Sequence, residues 1–378
     1  DYAKFNFGSD QNIETDFSDS TGTYSGFPTL LRSATPSATE IYSIKSDISK
    51  TILNKTKLEA GFKSSFVNAN NDVKYFNINN GVEIIDTSKT NHFKYNENIN
   101  AAYLSLSHEY GKLSAQAGIR AEQTLAKGIQ LVNDSAFTRD GIHLFPTLFL
   151  SYKLNAKNQL DLSFNKRIRR PDYHALNPFI YYLNPYTYAE GNPELKPEFT
   201  TSGELSHTYM NFISTTISFS QTKDIIQQVV KQIDSTKTSF AIQENLDIKN
   251  DYNIELSVPI PIAKWWTSSN YFSVLHSEYK GDFLGADLDV AGTVFIFNSQ
   301  NEFTFKKDWS GELSANYHST MPYGIFIFDP QYSLSLGVQK KILKGRGKIK
   351  ASAENIYHNK NTHGTIKYQN MDIDILQY

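Results

Sequence analysis

Between Lys112 and Thr124 the chain reads KLSAQAGIRAEQT, and its residues sort into two sets by parity. Leu113, Ala115, Ala117, Ile119 and Ala121 form one set, and Ser114, Gln116, Gly118, Arg120 and Glu122 form the other. A strand sends successive side chains to opposite faces, so one face here is small and apolar and the other polar and charged. The same dyad returns along most of the chain, with very short turns alternating with long polar stretches. A sheet with that rhythm of connections, apolar on one face and polar on the other, is a transmembrane antiparallel β-barrel with lipid outside and water inside.

This architecture accounts for a composition that otherwise argues against a membrane. Only 39% of the 378 residues are hydrophobic, mean hydropathy is −0.44, and no run approaches the roughly 18 apolar residues of a membrane helix. A barrel needs apolar side chains at alternate positions alone, and its loops and lumen pull the average towards polar. The 23 Tyr and 25 Phe suit strands and interfacial belts. Trp265, Trp266 and Trp309 all lie beside short connections, as a Trp belt at one membrane boundary requires. The chain has no cysteine, which removes disulfide frameworks and thiolate metal sites. A net charge of −2, from 37 basic and 39 acidic residues, supplies no global field to recruit nucleic acid.

Read from Ile41 onward, the pattern predicts roughly sixteen strands of about ten residues, the length that crosses a bilayer when tilted. Polar loops are expected from Asn68 to about Asn91, from Thr124 to about Gly141 and from Thr222 to about Asn250. The short connections include Leu53–Lys55, Gly111, Asn155–Asn158, Met210–Asn211, Pro259–Lys264, Lys307–Trp309 and Lys344–Gly347. No window sustains a 3.6-residue apolar repeat, so no helix is expected. Ser352–Tyr357 and the segment from Thr365 read as an unfinished hairpin, and Asp1–Gly8 lacks the basic and apolar regions of a signal peptide. Lipid tolerates no bare strand edge. The expectation is therefore one barrel domain over residues 1–378, part of a longer protein whose complete wall has about 22 strands.

The sharpest local signal is Phe164–Glu198. Leu160, Leu162 and Phe164 face one way, and Asp161, Ser163, Asn165, Arg167 and Arg169 the other. Pro171 ends the strand, because proline donates nothing to a ladder. The loop beyond it carries Tyr173, Tyr181, Tyr182, Tyr186 and Tyr188. Aromatic loops at a barrel mouth stack on sugars or other flat ligands, which makes these five candidate ligand contacts; tyrosines also pack loop against loop with their hydroxyls left wet. Alternation sets Arg167 and Arg169 on the lumen side with Arg120, where Glu122 and Asp161 balance them. Lumen-facing charges that shape the pore or meet a plug fit a chain without the basic field of a nucleic-acid reader. HExxH, GxSxG and a P-loop are absent, and Asp372 and Asp374 alternate with isoleucines as in a strand. No metal, cofactor or catalytic nucleophile is indicated, and the chain is expected not to be an enzyme.

Two blocks carry a resemblance to a known family. Gly191, Asn192, Pro193, Leu195, Lys196, Pro197 and Glu198 spell GNPxLKPE, and Glu204–Leu205 follow in the next strand. Tyr95–Thr124 reads as a hairpin ending in GxRxExT, at Gly118, Arg120, Glu122 and Thr124. Together they resemble the outer-membrane β-barrel family related to TonB-dependent receptors, SusC-like proteins included, over most of the chain from about Ile41. The resemblance implies a Gram-negative outer membrane, short periplasmic turns and long extracellular loops. It implies energised import of a ligand too large or too scarce for porins, such as an oligosaccharide, a metal chelate or a peptide. The implied partners are outer-membrane lipid and the TonB energy-transducing complex, reached through an N-terminal plug domain not visible in these residues. A surface lipoprotein is a further partner to consider. The motif residues read as architectural, so no family ligand-binding residue carries over. Two other readings stay open: a plug-less passive channel, and a β-rich surface adhesion protein outside the lipid.

Overall fold

Alternation is realised as a long antiparallel meander. The computed structural model describes residues 1–24, 26, 28–359, 362–369 and 371–377. The chain enters through β1 (Tyr2–Phe7) and β2 (Asp10–Thr15) and returns through β3 (Thr29–Ala34) and β4 (Ser37–Leu53), β3 pairing with β2 and β4 with β1. A tight turn leads into β5 (Thr56–Asn79), whose end is covered by the short β6 (Val82–Ile85). Then come β7 (Asn91–Tyr110), β8 (Leu113–Gln130), β9 (Ser135–Asn155) and β10 (Asn158–Arg169), with β7 on β5 and each later strand antiparallel to the one before.

After β10 the chain leaves the wall through the single helical turn α1 (Tyr173–Leu176), β11 (Ile180–Asn184) and β12 (Thr187–Glu190). It rejoins at β13 (Glu198–Tyr209), which pairs directly with β10. The meander continues through β14 (Ile213–Ile233), β15 (Thr238–Ala263), β16 (Trp266–Phe283), β17 (Ala286–Thr304) and β18 (Trp309–His318). It ends with β19 (Met321–Tyr323), β20 (Phe326–Phe328), β21 (Gln331–Ile342), β22 (Gly347–His358), β23 (Thr362–Tyr368) and β24 (Met371–Gln377). β1 runs on into β2, β3 into β4, β18 into β19, β20 into β21 and β22 into β23, while β6, β11 and β12 lie outside the wall. The described residues thus make about sixteen passes, in line with the sequence pattern.

Residues paired across antiparallel strands share a face. Leu162 pairs with Leu205, Leu205 with Ile217, Ile217 with Ile254, Ile254 with Val274 and Val274 with Phe295. All six side chains are between 40% and 55% exposed, so the register lays one uncovered apolar band across six strands. No helix is long and apolar enough to cross a membrane; the crossing is made by strands. Near the short turns, Trp265 stacks on Phe303 and Phe305 at ring distances of 6.1 and 6.4 Å, with Trp266 at 6.0 Å. Trp309, the third tryptophan, sits outside that cluster and has Lys340 Nζ over its ring at 4.9 Å. Beside the cluster, Trp266 Nε1 donates to Asn301, Asn301 to Ser299, Ser299 to Asn270 and Asn270 to Ser268, a chain that satisfies its polar groups internally.

Several connections differ from the sequence expectation. The stretches after Asn68, Thr124 and Thr222 are mostly strand, because β5, β8 and β14 run on and turn in tight hairpins. At about 3.3 Å per residue, the 26 residues of β15 span roughly 85 Å, far more than a hydrocarbon core of about 30 Å. The excursions are therefore paired hairpins standing clear of the bilayer. Pairing also begins at Tyr2, well before Ile41. Pro259 and Pro261 lie inside β15, and the turn falls after Ala263. β14 stops pairing at Ser257, so one edge of β15 is free there and two prolines of equal parity can leave their missing N–H on it. The segments read as an unfinished hairpin become β22, β23 and β24.

Candidate functional site

The excursion between β10 and β13 folds back onto the wall. Pro171 stops β10, and Asp172 caps α1 by accepting from Ala175 N at 2.8 Å. Leu176 and Phe179 are then buried among Ala69, Val73 and Tyr75 of β5, Phe93 and Tyr95 of β7, Ala126 of β8 and Ile226 of β14. β5, β7 and β8 are neighbours in the wall, and β14 stands four strands beyond β8, so the insert ties two separated parts of the wall together. The β11–β12 hairpin does the same above it. β12 pairs parallel with Ser239–Ile242 of β15, and Tyr188 stacks on Phe240 at 5.0 Å and 2°. At the other end Tyr182 meets Tyr75 edge-on at 5.7 Å, and Tyr75 OH donates to Ile180 O at 2.7 Å. Burial pushes the Tyr75 phenol up to about 12.

The GNPELKPE segment is the weld. A Cβ on Gly191 would lie 1.9 Å from Asn177 O, so only glycine passes there. Asn192 donates from its backbone to Ala175 O and from its side chain to Gln243 O, while its Oδ1 accepts from Glu194 N. Pro193 O accepts from Arg139, and Leu195 is fully buried. Asn245 bridges Lys196 N, Lys196 O and Asp224 O. Glu198, itself buried, takes a two-pronged bond from Arg169 at 2.6 and 2.7 Å and accepts from Ile226 N at 2.9 Å.

The matched family agrees with this architecture. Residues 1–378 match the outer membrane protein beta-barrel family. The chain belongs to that family. Its setting is the outer membrane of a Gram-negative bacterium. Among solved structures it is similar to the copper transporter OprC, with a TM-score of 0.65 and 12% identity over 100% of this chain and 60% of that one. It is similar to the ferric yersiniabactin uptake receptor FyuA from Yersinia pestis, with a TM-score of 0.61 and 12% identity over 100% of this chain and 56% of that one. It is also similar to the ferric-catecholate import receptor Fiu from E. coli, with a TM-score of 0.62 and 10% identity over 96% of this chain and 60% of that one. At such identities the likeness is one of fold, and the chain spans about three fifths of the length of these structures. No curated protein matches the chain. The family reading made from the two sequence blocks holds.

In this outer-membrane barrel the five tyrosines occupy different settings. Tyr173 stacks on His174 at 4.1 Å and packs on the buried cluster, while Tyr182 and Tyr188 hold the hairpin. Tyr181 and Tyr186 present exposed rings. Of the charges expected to face the lumen, Arg120 donates to Glu122 at 2.5 Å, and Glu122 also receives Arg170 at 2.8 Å. Asp161 accepts from Gln159 at 3.0 Å, Arg167 is exposed, and Arg169 is bound to Glu198. Register puts Arg120 opposite the buried Phe145, and Asp161 between Ser151 and Ser206, away from the apolar band. Residue pattern alone missed Glu198, Arg139 and Asn245, whose partners lie 21 or more residues away. Glu198 was signalled only as a motif letter. Among the described residues no His, Asp and Glu group is arranged to hold a metal.

Proposed function

We propose that this chain is the barrel wall of a TonB-dependent receptor that imports a ligand too large or too scarce to diffuse, such as an oligosaccharide, a metal chelate or a peptide. The observation that carries the reading is the β10–β13 insert. A buried apolar cluster ties the insert to β5, β7 and β8 on one side and to β14 on the other, so it is a body with a fixed seat on the wall. A passive channel gains nothing from such an insert, whereas a receptor needs a stable platform for its ligand. In this reading the exposed Tyr181 and Tyr186 touch the ligand, while Tyr173, Tyr182 and Tyr188 hold the platform. Arg120, Glu122, Asp161 and Arg167 face a plug domain supplied by the rest of the protein, and the TonB complex pulls on that plug to open a path. A surface lipoprotein over the mouth is compatible with the same scheme.

The test is the intact mass and conductance of the native species extracted in detergent from outer membranes. A species tens of kilodaltons heavier than 42.9 kDa, with its extra mass N-terminal and no steady conductance in planar bilayers, is expected. A species near 42.9 kDa with steady conductance would replace the receptor with an open channel.

A further inference from the structure

The register places a glycine on the apolar outward face. Gly203 of β13 stands between Phe164 of β10 and Phe219 of β14, one row above the band that runs from Leu162 to Phe295. That upper row continues through Tyr252 of β15 and His276 of β16. A Cβ on Gly203 would meet nothing nearer than Ser163 O at 4.0 Å, so neither flanking ring closes over it. The gap opens into a groove of about 530 Å³ that runs between the two rows towards His276. Leu205, Ile217 and Ile254 form its lower side, and Phe219 and Tyr252, tilted rings 5.0 Å apart, form the upper.

The groove lies at a membrane boundary. His276 is ten residues beyond Trp266 on β16. Ten steps of about 3.4 Å, tilted by about 40°, rise about 26 Å, the full height of an apolar band about 25 Å tall. The next row up is polar: Lys166, Thr201, Gln221, Asn250 and Glu278 pair across the same five strands. Lys166 reaches over the Phe199 ring at 5.5 Å, and Phe199 pairs with the exposed Lys223. Glu278, the carboxylate of the polar row, lies at its far end beside His276 and Lys280, each 3.7 Å away.

We propose that this groove seats an acyl chain of an anionic lipid, in the leaflet nearest the long excursions, with the headgroup phosphate between Lys166 and Lys223. The groove is continuous with the uncovered apolar band, so its occupant is a lipid chain and not a water-soluble ligand. A smooth band holds any chain equally, whereas a gap walled by branched and aromatic side chains gains dispersion contact with one chain lying in it. The lysines add selection by charge. They stand over the Gly203 end, and Glu278 turns a phosphate away from the other. Lys166 is two residues along β10 from Phe164, about 7 Å above the row of Gly203, within reach of a headgroup whose chain fills the gap. The inference needs the outward face alone and stands whether or not the barrel is a receptor.

The test is native mass spectrometry of the whole protein in detergent, titrated with dioleoyl phosphatidylglycerol or dioleoyl phosphatidylcholine. Wild type should retain one phosphatidylglycerol about 25-fold more tightly than phosphatidylcholine, about fivefold from each lysine. Lys166→Gln combined with Lys223→Gln should bring the two lipids to parity. Gly203→Leu, whose Cβ meets no collision, should fill the gap and weaken both lipids about tenfold at unchanged β-sheet content. Gly203→Val should fall between wild type and Gly203→Leu, which guards against a variant that only unfolds. Ala117→Leu, elsewhere on the same face, should change neither lipid. Equal retention of the two lipids by wild type, indifference to both Gly203 variants, or an equal loss from Ala117→Leu would overturn the proposal.

Discussion

Ala117→Arg tests the lipid face most directly. Ala117 is exposed on β8, paired with Leu106 on one side and Leu148 on the other, both exposed apolar residues of the outward face. It is the fifth residue of β8, which begins at Leu113 just beyond the short turn. Four steps of about 3.4 Å carry it roughly 14 Å along the strand, and a tilt of about 40° reduces this to a depth of about 10 Å. Against an apolar band about 25 Å tall, that is close to the midplane, where an outward arginine costs about 2–4 kcal/mol. The neighbouring Gln116 points the other way and donates to Ser105 Oγ at 3.1 Å, so Gln116→Arg should cost under about 1 kcal/mol. The assay is reversible guanidinium unfolding from phospholipid vesicles, followed by tryptophan fluorescence, with both variants in the same lipid. Equal destabilisation by the two arginines, or a cost for Ala117→Arg below about 0.5 kcal/mol, would refute the face assignment and with it the barrel argument.

Three further outcomes are expected. Glu198→Ala should destabilise the protein by about 2 kcal/mol in the same unfolding assay. The buried Ile226 N–H loses its acceptor, while the ion pair itself is discounted because the Arg169 side chain is 59% exposed. Gly191→Ala should loosen the insert without breaking the wall, since its Cβ collides with Asn177 O. The readout is faster cleavage by an added protease within residues 173–190, at unchanged β-sheet content by circular dichroism, and an uncut insert would count against the weld. Asp86, in the connection between β6 and β7, is opposed by burial but held below the usual carboxylate range by Lys89, Ser88 and Asn77. A depressed carboxyl stabilises the fold above its unfolded value and loses that contribution as pH falls through its folded value. Hydrogen exchange at the β5–β6 end should therefore stay slow until well below pH 4 and then rise, and Asp86→Asn should abolish that acid dependence.

What the sequence disclosed and what it hid follow from the range of the interactions. Parity is local: Leu113 to Glu122 announces its two faces in ten residues, so the wall, its faces and its short turns could be read directly. Strand length beyond the bilayer is not local. The polar stretch Asn68–Asn79 has weak strand propensity, and it is extended because Asn91–Lys94 and Leu30–Ala34 pair with it from elsewhere in the chain. Polarity alone therefore read as loop. α1 escaped notice for the opposite reason: one turn is too short for any 3.6-residue repeat, and it forms because Asp172 caps it and Leu176 is buried against strands far away.

The insert combines both cases. GNPELKPE was legible as a motif, because its letters are fixed by demands that few residues meet: a glycine where no Cβ fits, and an asparagine with both a donor and an acceptor in use. Its partners were not legible, since Gln243, Asn245, Ile226 and Arg139 follow no spacing rule relative to it. The same division separates platform from ligand contact. Weld residues such as Asn192, Asn245 and Glu198 have their side-chain polar atoms committed to the wall and insert, whereas Tyr181 and Tyr186 present exposed rings. A rigid support under uncommitted side chains is the arrangement in which binding orders few additional groups, and so the contacts made there appear as affinity.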